Sequence, residues 1–192
     1  MYCLLPMISK NSHQSGSLLV SEPFMLDPNF KRSVVLLAEH SGSGSIGFVL
    51  NQRSDLLLGD VIPDCWDGNF PIFLGGPVAN DTLHFIHRCY DKLLSGIEIK
   101  DGIYWGGDFE TLKVLINNNS ILPQEIRFFI GYSGWGEDQL DAELEQNSWL
   151  ISNNYSAESL FADGDNLWKE VVISLGPKYA HIANFPENPM WN

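Results

Sequence analysis

The chain is organised around one segment, Ile126-Arg127-Phe128-Phe129-Ile130-Gly131-Tyr132-Ser133-Gly134-Trp135-Gly136-Glu137-Asp138-Gln139-Leu140-Asp141-Ala142-Glu143-Leu144. Its mainly apolar first part, 126–132, predicts a buried β-strand. The glycines that follow predict a turn around Trp135. The acidic run 137–146 places Leu140 and Leu144 one helical turn apart, which predicts a helix that turns this pair toward the core.

Apolar runs on either side of this stretch predict the rest of the sheet. Strands are expected over 16–21, 33–38, 46–50, 70–74, 83–87, 102–105 and 149–151, with a Gly/Ser loop closing a hairpin between the second and third. Helices are expected over 109–116 after an Asp108 cap, over 157–161 and over 167–175. Asp55 is expected to cap a short helix that ends before Pro63. Because strands and helices are mixed without regular βαβ alternation, the predicted class is α+β.

Length and composition predict one domain over residues 1–192 with a substantial core. No apolar run is long enough to span a bilayer. The N-terminus lacks the basic and long apolar regions of a signal peptide, so a cytoplasmic location without membrane attachment is expected. The 3 cysteines contain no Cys-x-x-Cys pair and predict reduced thiols.

The charge balance argues against a nucleic-acid partner. The formal net charge is −13, whereas binding to a polyanion needs a basic face. No Lys or Arg lies between Arg127 and Lys169, an interval that carries many carboxylates. We interpret this interval as a solvated anionic face.

Ser133 raises the possibility of a serine hydrolase. The run Gly131-Tyr132-Ser133-Gly134 between a strand and a helix has the layout of a nucleophile elbow. Asp163 or Asp165, and then His181, follow in hydrolase order. Against this reading, Trp135 stands where the elbow needs glycine, and the chain has no parallel βαβ pattern to build the hydrolase sheet.

His84, His87 and Cys89 are close in sequence but do not predict a metal site. On a strand, residues three apart face opposite sides, so the two histidines cannot converge. No phosphate-binding glycine motif follows a strand. We therefore expect neither a metal nor a cofactor.

A binding site is predicted from the placement of loops. Two glycines before Pro77 allow the backbone either to cradle an anionic group or to make a tight crossing of the sheet, and the crossing is favoured. His40, at the end of a buried strand, is the best-placed titratable contact. The predicted site is formed where six residues would approach one another: His40, Asn51, Gly75, Gly76, Pro77 and Trp135.

Several separated motifs, taken together, resemble the AlgH/YqgE family over residues 16 to 176. They are Pro23 with Asp27-Pro28-Asn29-Phe30, Ser33-Val34-Val35, His40 with Gly47-Phe48-Val49-Leu50-Asn51, Gly75-Gly76-Pro77-Val78 with Leu83-His84, Gly107-Asp108-Phe109, and Gly131-Tyr132-Ser133-Gly134-Trp135 with Gln139-Leu140, Glu143 and Trp149.

The resemblance implies a mixed, bent β-sheet that forms a pseudo-barrel with helices around it. It implies no established enzymatic activity, although the family carries the label of transcriptional regulator. Glu137-Asp138 stands where the family usually has Pro-Gly, which predicts a more acidic turn. The family fills the position of Ser133 with Ser or Ala, which argues against a nucleophile there.

The sequence therefore favours a non-catalytic cytoplasmic protein that binds a small molecule or a protein partner, with an indirect regulatory role. One alternative is a transcriptional regulator that binds DNA directly, although no basic helix-turn-helix is evident. The other is a serine hydrolase that uses Ser133.

Overall fold

A computed structural model describes residues 13–162 and 166–185. Ten strands and seven α-helices lie in this part of the chain, together with short 3-10 turns at Pro123–Glu125 and Ile182–Asn184. The strands are β1 (Leu18–Ser21), β2 (Val34–Ser41), β3 (Gly44–Val49), β4 (Arg53–Leu57), β5 (Pro71–Leu74), β6 (Val78–His87), β7 (Ile97–Lys100), β8 (Ile103–Trp105), β9 (Ile126–Trp135) and β10 (Trp149–Ser152). The helices are α1 (Leu58–Val61), α2 (Tyr90–Leu93), α3 (Phe109–Asn117), α4 (Gln139–Glu145), α5 (Ala157–Phe161), α6 (Leu167–Ser174) and α7 (Pro177–Ala180).

Strand β9 is the centre of a sheet with the order β10-β1-β2-β3-β9-β6-β8-β7. The neighbours along this path run antiparallel. On one edge β9 changes partner, pairing in parallel with β5 along Phe128–Ile130 and then antiparallel with β3 along Ser133–Trp135. Gly131 lies between the two partners with a φ of 68°. A glycine is required there because a Cβ would meet the carbonyl oxygens of Gly76 and Val78 at 2.8 Å.

The bent sheet confirms the predicted α+β class. Its hydrogen-bonded path ends at β10 and β7, and no ladder joins these two strands among the described residues. The two ends nevertheless approach each other, because Lys100 Nζ at the end of β7 lies 3.4 Å from the carbonyl oxygen of Asn153, just after β10. The sheet thus curls toward a barrel without closing, which agrees with the mixed, bent sheet that the resemblance implied.

Both faces of the sheet are covered by apolar side chains. The run in β2 alternates between two core clusters, with Val34 and Leu36 in one and Val35 and Leu37 in the other, as expected for a strand buried on both sides. Helices α5 and α6 cover the first cluster, and α4 covers the second. A third cluster, built on Phe128, is covered by α3. No helix in the described part of the chain is long and apolar enough to cross a membrane.

Most of the predicted elements are confirmed, including the hairpin between β2 and β3 and the Asp108 cap of α3, where the carboxylate accepts the Thr111 N–H at 2.6 Å. The predicted cap at Asp55 is wrong, because this residue lies in β4 and the short helix begins at Leu58. Strands β4 and β7 and helices α2 and α7 were not expected from the sequence. Helix α4 begins at Gln139 rather than residue 137, because Asp138 adopts a left-handed φ of 57° that interrupts the helix.

The glycine-rich turn predicted after Tyr132 is also wrong. Strand β9 continues to Trp135, because β3 offers it a ladder in which Gly47 pairs with Ser133 and Ser45 with Trp135. The turn comes only at Gly136, between β9 and α4.

Candidate functional site

His40 lies beside an open cleft between the β2–β3 hairpin and the start of α4. His40 pairs with Ser45 across the hairpin, and its Nδ1 lies 2.8 Å from the Ser45 hydroxyl oxygen. Ser45 in turn pairs with Trp135 of β9, so the sheet register fixes this end of the hairpin against α4. We call this hollow the His40 cleft, and its principal side chains are His40, Ser41, Ser45, Asp138, Leu140 and Asp141.

His13 lies beside the His40 cleft, in contact with His40. Its ring meets the His40 ring nearly edge-on, with centroids 4.4 Å apart. Its Nε2 is buried, lies 3.5 Å from Asp141 Oδ1 and makes no hydrogen bond to the described residues. Burial, and then the neighbouring His40, lower the pKa of His13 despite the opposing pull of Asp141. The neutral imidazole is therefore the favoured form at neutral pH.

The electrostatics of the His40 cleft are those of a polar to anionic site. Asp138 and Asp141 supply carboxylates, and no Lys or Arg is among the residues that line it. The backbone N–H of Gly136 donates to Gln139 Oε1 at 3.0 Å and is therefore already engaged. The cleft can accept hydrogen bonds and favour positive charge, but it offers little to stabilise an anion.

Four of the predicted site residues lie at the other end of β3. Asn51 accepts the Val34 N–H at 2.9 Å and donates to the Arg32 carbonyl at 2.8 Å, so its amide joins two backbone segments. Gly75 donates to the Ile130 carbonyl and accepts the Val49 N–H, each at 2.9 Å. Its backbone groups are therefore used in the sheet rather than presented to a ligand.

Gly76 makes the tight crossing that the sequence favoured. A Cβ at Gly76 would lie 2.4 Å from Ser133 Oγ and from the Tyr132 carbonyl carbon. Pro77 follows on the surface before β6 begins. Val49, which donates to Gly75, lies four residues along β3 from Ser45, the partner of His40. At about 3.3 Å per residue, Gly75 stands roughly 13 Å from His40 along this strand, and Asn51 lies beyond its end. The six predicted residues thus form two groups and do not converge.

Trp135 belongs to the hydrophobic core and not to an open pocket. It is 5% exposed and packs with Phe30 and Trp149. Its indole N–H donates to Glu143 Oε2 at 2.9 Å, and the Trp149 indole N–H donates to the same oxygen at 2.8 Å. Trp135 therefore contributes to the core next to the His40 cleft. It belongs to the same core cluster as Leu140, which lines the cleft.

Ser133 does not have the surroundings of a nucleophile. It is fully buried within β9, and its hydroxyl donates to the Gly75 carbonyl at 3.0 Å. The sharp strand-to-helix turn of an elbow is absent at this position. Of the proposed triad partners, Asp163 and Asp165 lie outside the described residues, and the His181 ring packs against Phe185.

His84 and His87 occupy β6, as the metal-site argument assumed. His84 Nε2 contacts Thr82 Oγ1 at 2.9 Å, whereas His87 Nε2 lies 3.1 Å from the Gly106 carbonyl oxygen. Burial lowers the pKa of both imidazoles. Burial, reinforced by Glu125, raises the pKa of the Cys89 thiol to about 11. No group of three potential metal ligands comes together in residues 13–162 and 166–185.

Three residues in or beside the His40 cleft were not predicted as site residues from the sequence. Ser45 was missed because its pairing with His40 depends on the register of the hairpin. The short Gly/Ser loop leaves that register undetermined by one or two residues. Asp141 was explained by the helix dipole alone. His13 carries no local signal, because its contact with His40 depends on the N-terminal chain passing over the hairpin.

Comparisons with known proteins agree on one family. The family model DUF179, described as AlgH-like, matches residues 18–180. A UPF0301 protein of Cytophaga hutchinsonii is 44% identical over 178 residues, which cover 92% of this chain and 98% of that protein. A UPF0301 protein of Chlorobium limicola is 44% identical over 178 residues, covering 92% and 95% respectively.

Two solved structures share the fold. The crystal structure of protein DIP2367 from Corynebacterium diphtheriae matches with a TM-score of 0.78 at 21% identity, covering 93% of this chain and 95% of that one. The solution structure of the AlgH protein from Pseudomonas aeruginosa matches with a TM-score of 0.68 at 25% identity, covering 94% and 98%.

Proposed function

The chain belongs to the AlgH-like family, and from that premise we propose that it is a non-catalytic binding protein whose ligand occupies the His40 cleft. The observation that carries the proposal is that an imidazole and a hydroxyl lie across one accessible hollow from two carboxylates. His40 and the exposed Ser41 stand on the hairpin side, and Asp138 and Asp141 stand on the side of α4. Elsewhere in the predicted site, the polar groups of Asn51 and Gly75 are taken up by the backbone of the sheet.

The charge of the His40 cleft supports a neutral or cationic small molecule. A ligand ammonium or hydroxyl group would find carboxylate and hydroxyl acceptors there, and an anion would meet Asp138 and Asp141 without a basic side chain to offset them. A phosphate or carboxylate ligand is therefore disfavoured.

Two features support a binding role over a catalytic one. Ser45 is 5% exposed, so its hydroxyl has little room to attack a substrate. The nearby Gly136 N–H is engaged by Gln139 and is not free to stabilise an oxyanion. The alternative nucleophile, Ser133, is buried and donates its proton to a backbone carbonyl.

Any regulatory effect would then be indirect, through the bound ligand or a protein partner. The net charge of −13 opposes direct contact with DNA. A gel-shift titration with promoter DNA at low salt separates the two readings, since a direct DNA-binding regulator would produce a salt-sensitive shift and this protein is expected to produce none.

A thermal-shift screen tests the proposal. The panel consists of amines, amino acids, sugars and nucleotides. A compound at one hundred times its Kd adds about 2.7 kcal/mol to the free energy of unfolding and raises Tm measurably. We expect at least one neutral or cationic compound to raise Tm, and we expect the shift to be lost in His40→Ala and Asp141→Asn.

Glu145→Gln is the matched control, because Glu145 is exposed on the same helix as Asp141 but is not part of the His40 cleft. The Tm shift should persist in this variant. A flat screen, or shifts of equal size in His40→Ala and the wild-type protein, would refute the proposed site.

A further inference from the structure

The loop between α1 and β5 holds a tryptophan in solvent. Trp66 is 78% exposed, whereas the preceding Cys65 is fully buried. We call residues 62–70 the Trp66 loop. It packs on the core cluster that α3 covers, whereas the His40 cleft borders the cluster covered by α4. The two surfaces are therefore built on separate parts of the core.

The backbone of the Trp66 loop is fixed on both sides of the indole. The Asn117 side chain, at the end of α3, donates to the Asp64 carbonyl at 2.8 Å and accepts the Asp67 backbone N–H at 3.5 Å. Asn119 Nδ2 also donates to the Asp67 carboxylate at 3.2 Å. Gly68 donates to the Cys65 carbonyl at 2.9 Å and packs so closely that a Cβ there would lie 2.6 Å from the same oxygen. The tryptophan is therefore presented by a closely held backbone.

The surroundings of Trp66 are acidic. Asp60, Asp64 and Asp67 are all exposed in this part of the chain. Lys113 of α3 lies 3.7 Å from Asp64 and 2.9 Å from Glu110, so it offsets only part of the negative charge. An exposed indole next to carboxylates suits a cationic side chain. Such a side chain makes a cation–π interaction with the ring and charge-assisted hydrogen bonds with the carboxylates.

We propose that the Trp66 loop is a docking surface for a basic segment of a partner protein. An Arg or Lys side chain of that segment lies on the Trp66 indole, and its basic neighbours pair with Asp64 and Asp67. Charge complementarity selects this occupant, because the carboxylates repel nucleic acid and an acidic peptide alike. Tryptophan is also among the residues that contribute most to protein–protein binding.

The test uses the full chain and a hexa-arginine peptide as the probe. Binding is measured by calorimetry and by the indole N–H resonance of Trp66, first in low-salt buffer and then with added salt. We expect hexa-arginine to bind, to shift that resonance and to weaken as salt is added. Trp66→Ala should weaken binding about fivefold, and Trp66→Phe should weaken it less, because a phenyl ring keeps part of the cation–π attraction.

Matched variants separate this surface from general attraction to an acidic protein. Asp64→Asn should weaken binding about twofold, whereas Glu145→Gln on α4 should leave it unchanged. Leu26→Ala controls for loss of an exposed apolar side chain, since Leu26 is 96% exposed in the loop between β1 and β2. Thermal melts establish that each variant is folded. Equal affinity in Trp66→Ala and wild type, or no binding at low salt, would overturn the proposal.

Discussion

Glu143 is the residue on which two buried tryptophans depend. One of its carboxylate oxygens accepts both the Trp135 and the Trp149 indole N–H groups. Removing it leaves two donors in the core without a partner, so Glu143→Ala should lower the free energy of unfolding by about 2–4 kcal/mol. Urea denaturation measures the change. The control is Glu145→Ala on the same helix, which should alter stability by less than about 0.5 kcal/mol. Equal stabilities of the two variants would contradict the account.

Histidines link the stability of the molecule to pH. Burial lowers the pKa of His13, His84 and His87 in the folded protein. In the unfolded chain these histidines have pKa values of about 6.5. The unfolded state therefore binds more protons than the folded state as the pH falls. The stability that each neutral histidine contributes is fully present above its unfolded pKa. It is lost as the pH falls from the unfolded pKa toward the lower folded pKa. We expect the free energy of unfolding to fall between about pH 7 and pH 5, by up to roughly 1.4 kcal/mol per pH unit for each histidine.

His87→Gln tests this assignment, because His87 is fully buried on β6. The variant should show a shallower loss of stability on acidification, measured by urea denaturation at several pH values. The exposed His181→Gln controls for loss of a histidine elsewhere and should keep the wild-type slope. A wild-type protein whose stability is flat or rises as the pH falls over this range would contradict the assignment.

At the scale of the element, local patterns predicted those strands and helices whose signal lies within one segment. The β2 run is apolar on both faces and was identified as a strand, and Asp108 was identified as a cap. The end of β9 was misplaced because glycine chemistry predicts a turn, whereas β3 supplies a ladder from a segment about ninety residues away. Strand β7 was missed because Ile97 and Glu98 are both exposed, so no clean alternation marks it.

The candidate site combines one residue with a local sequence signal and others without one. His40 was identified because it ends a buried strand beside a loop. His13, which packs on His40, and Asp141, which lies 3.5 Å from His13, were not identified as site residues, since they come from distant segments that only the folded chain brings together. The two glycines before Pro77 predicted either an anion cradle or a tight crossing of the sheet. In the structure Gly75 and Gly76 form the crossing.

The crossing at Gly76 yields a prediction about the sheet. Gly76 has a φ of 149°, and a Cβ there would lie 2.4 Å from atoms of β9. Gly76→Ala should therefore destabilise the protein by about 2 kcal/mol or more, through overpacking and backbone strain. Gly42→Ala in the β2–β3 hairpin is the matched control, because a Cβ there meets nothing within 4 Å. Similar melting temperatures for the two variants would show that the crossing is less tight than described.

At the scale of the whole molecule, two surfaces with different chemistry are built on separate core clusters. The His40 cleft lies where the β2–β3 hairpin meets α4, and it presents hydrogen-bonding groups around a small hollow. The Trp66 loop lies beside α3 and presents an indole among carboxylates. The net charge of −13 makes both surfaces better suited to neutral or cationic partners than to anions.

An amide chemical-shift map locates the ligand on the protein. The labelled protein is titrated with the compound that gives the largest thermal shift, and each backbone resonance is followed to saturation. If the ligand occupies the His40 cleft, the largest changes will fall in residues 40–45 and 136–141. Largest changes at residues 75–78 or in the Trp66 loop, with the His40 cleft unaffected, would contradict the proposed site.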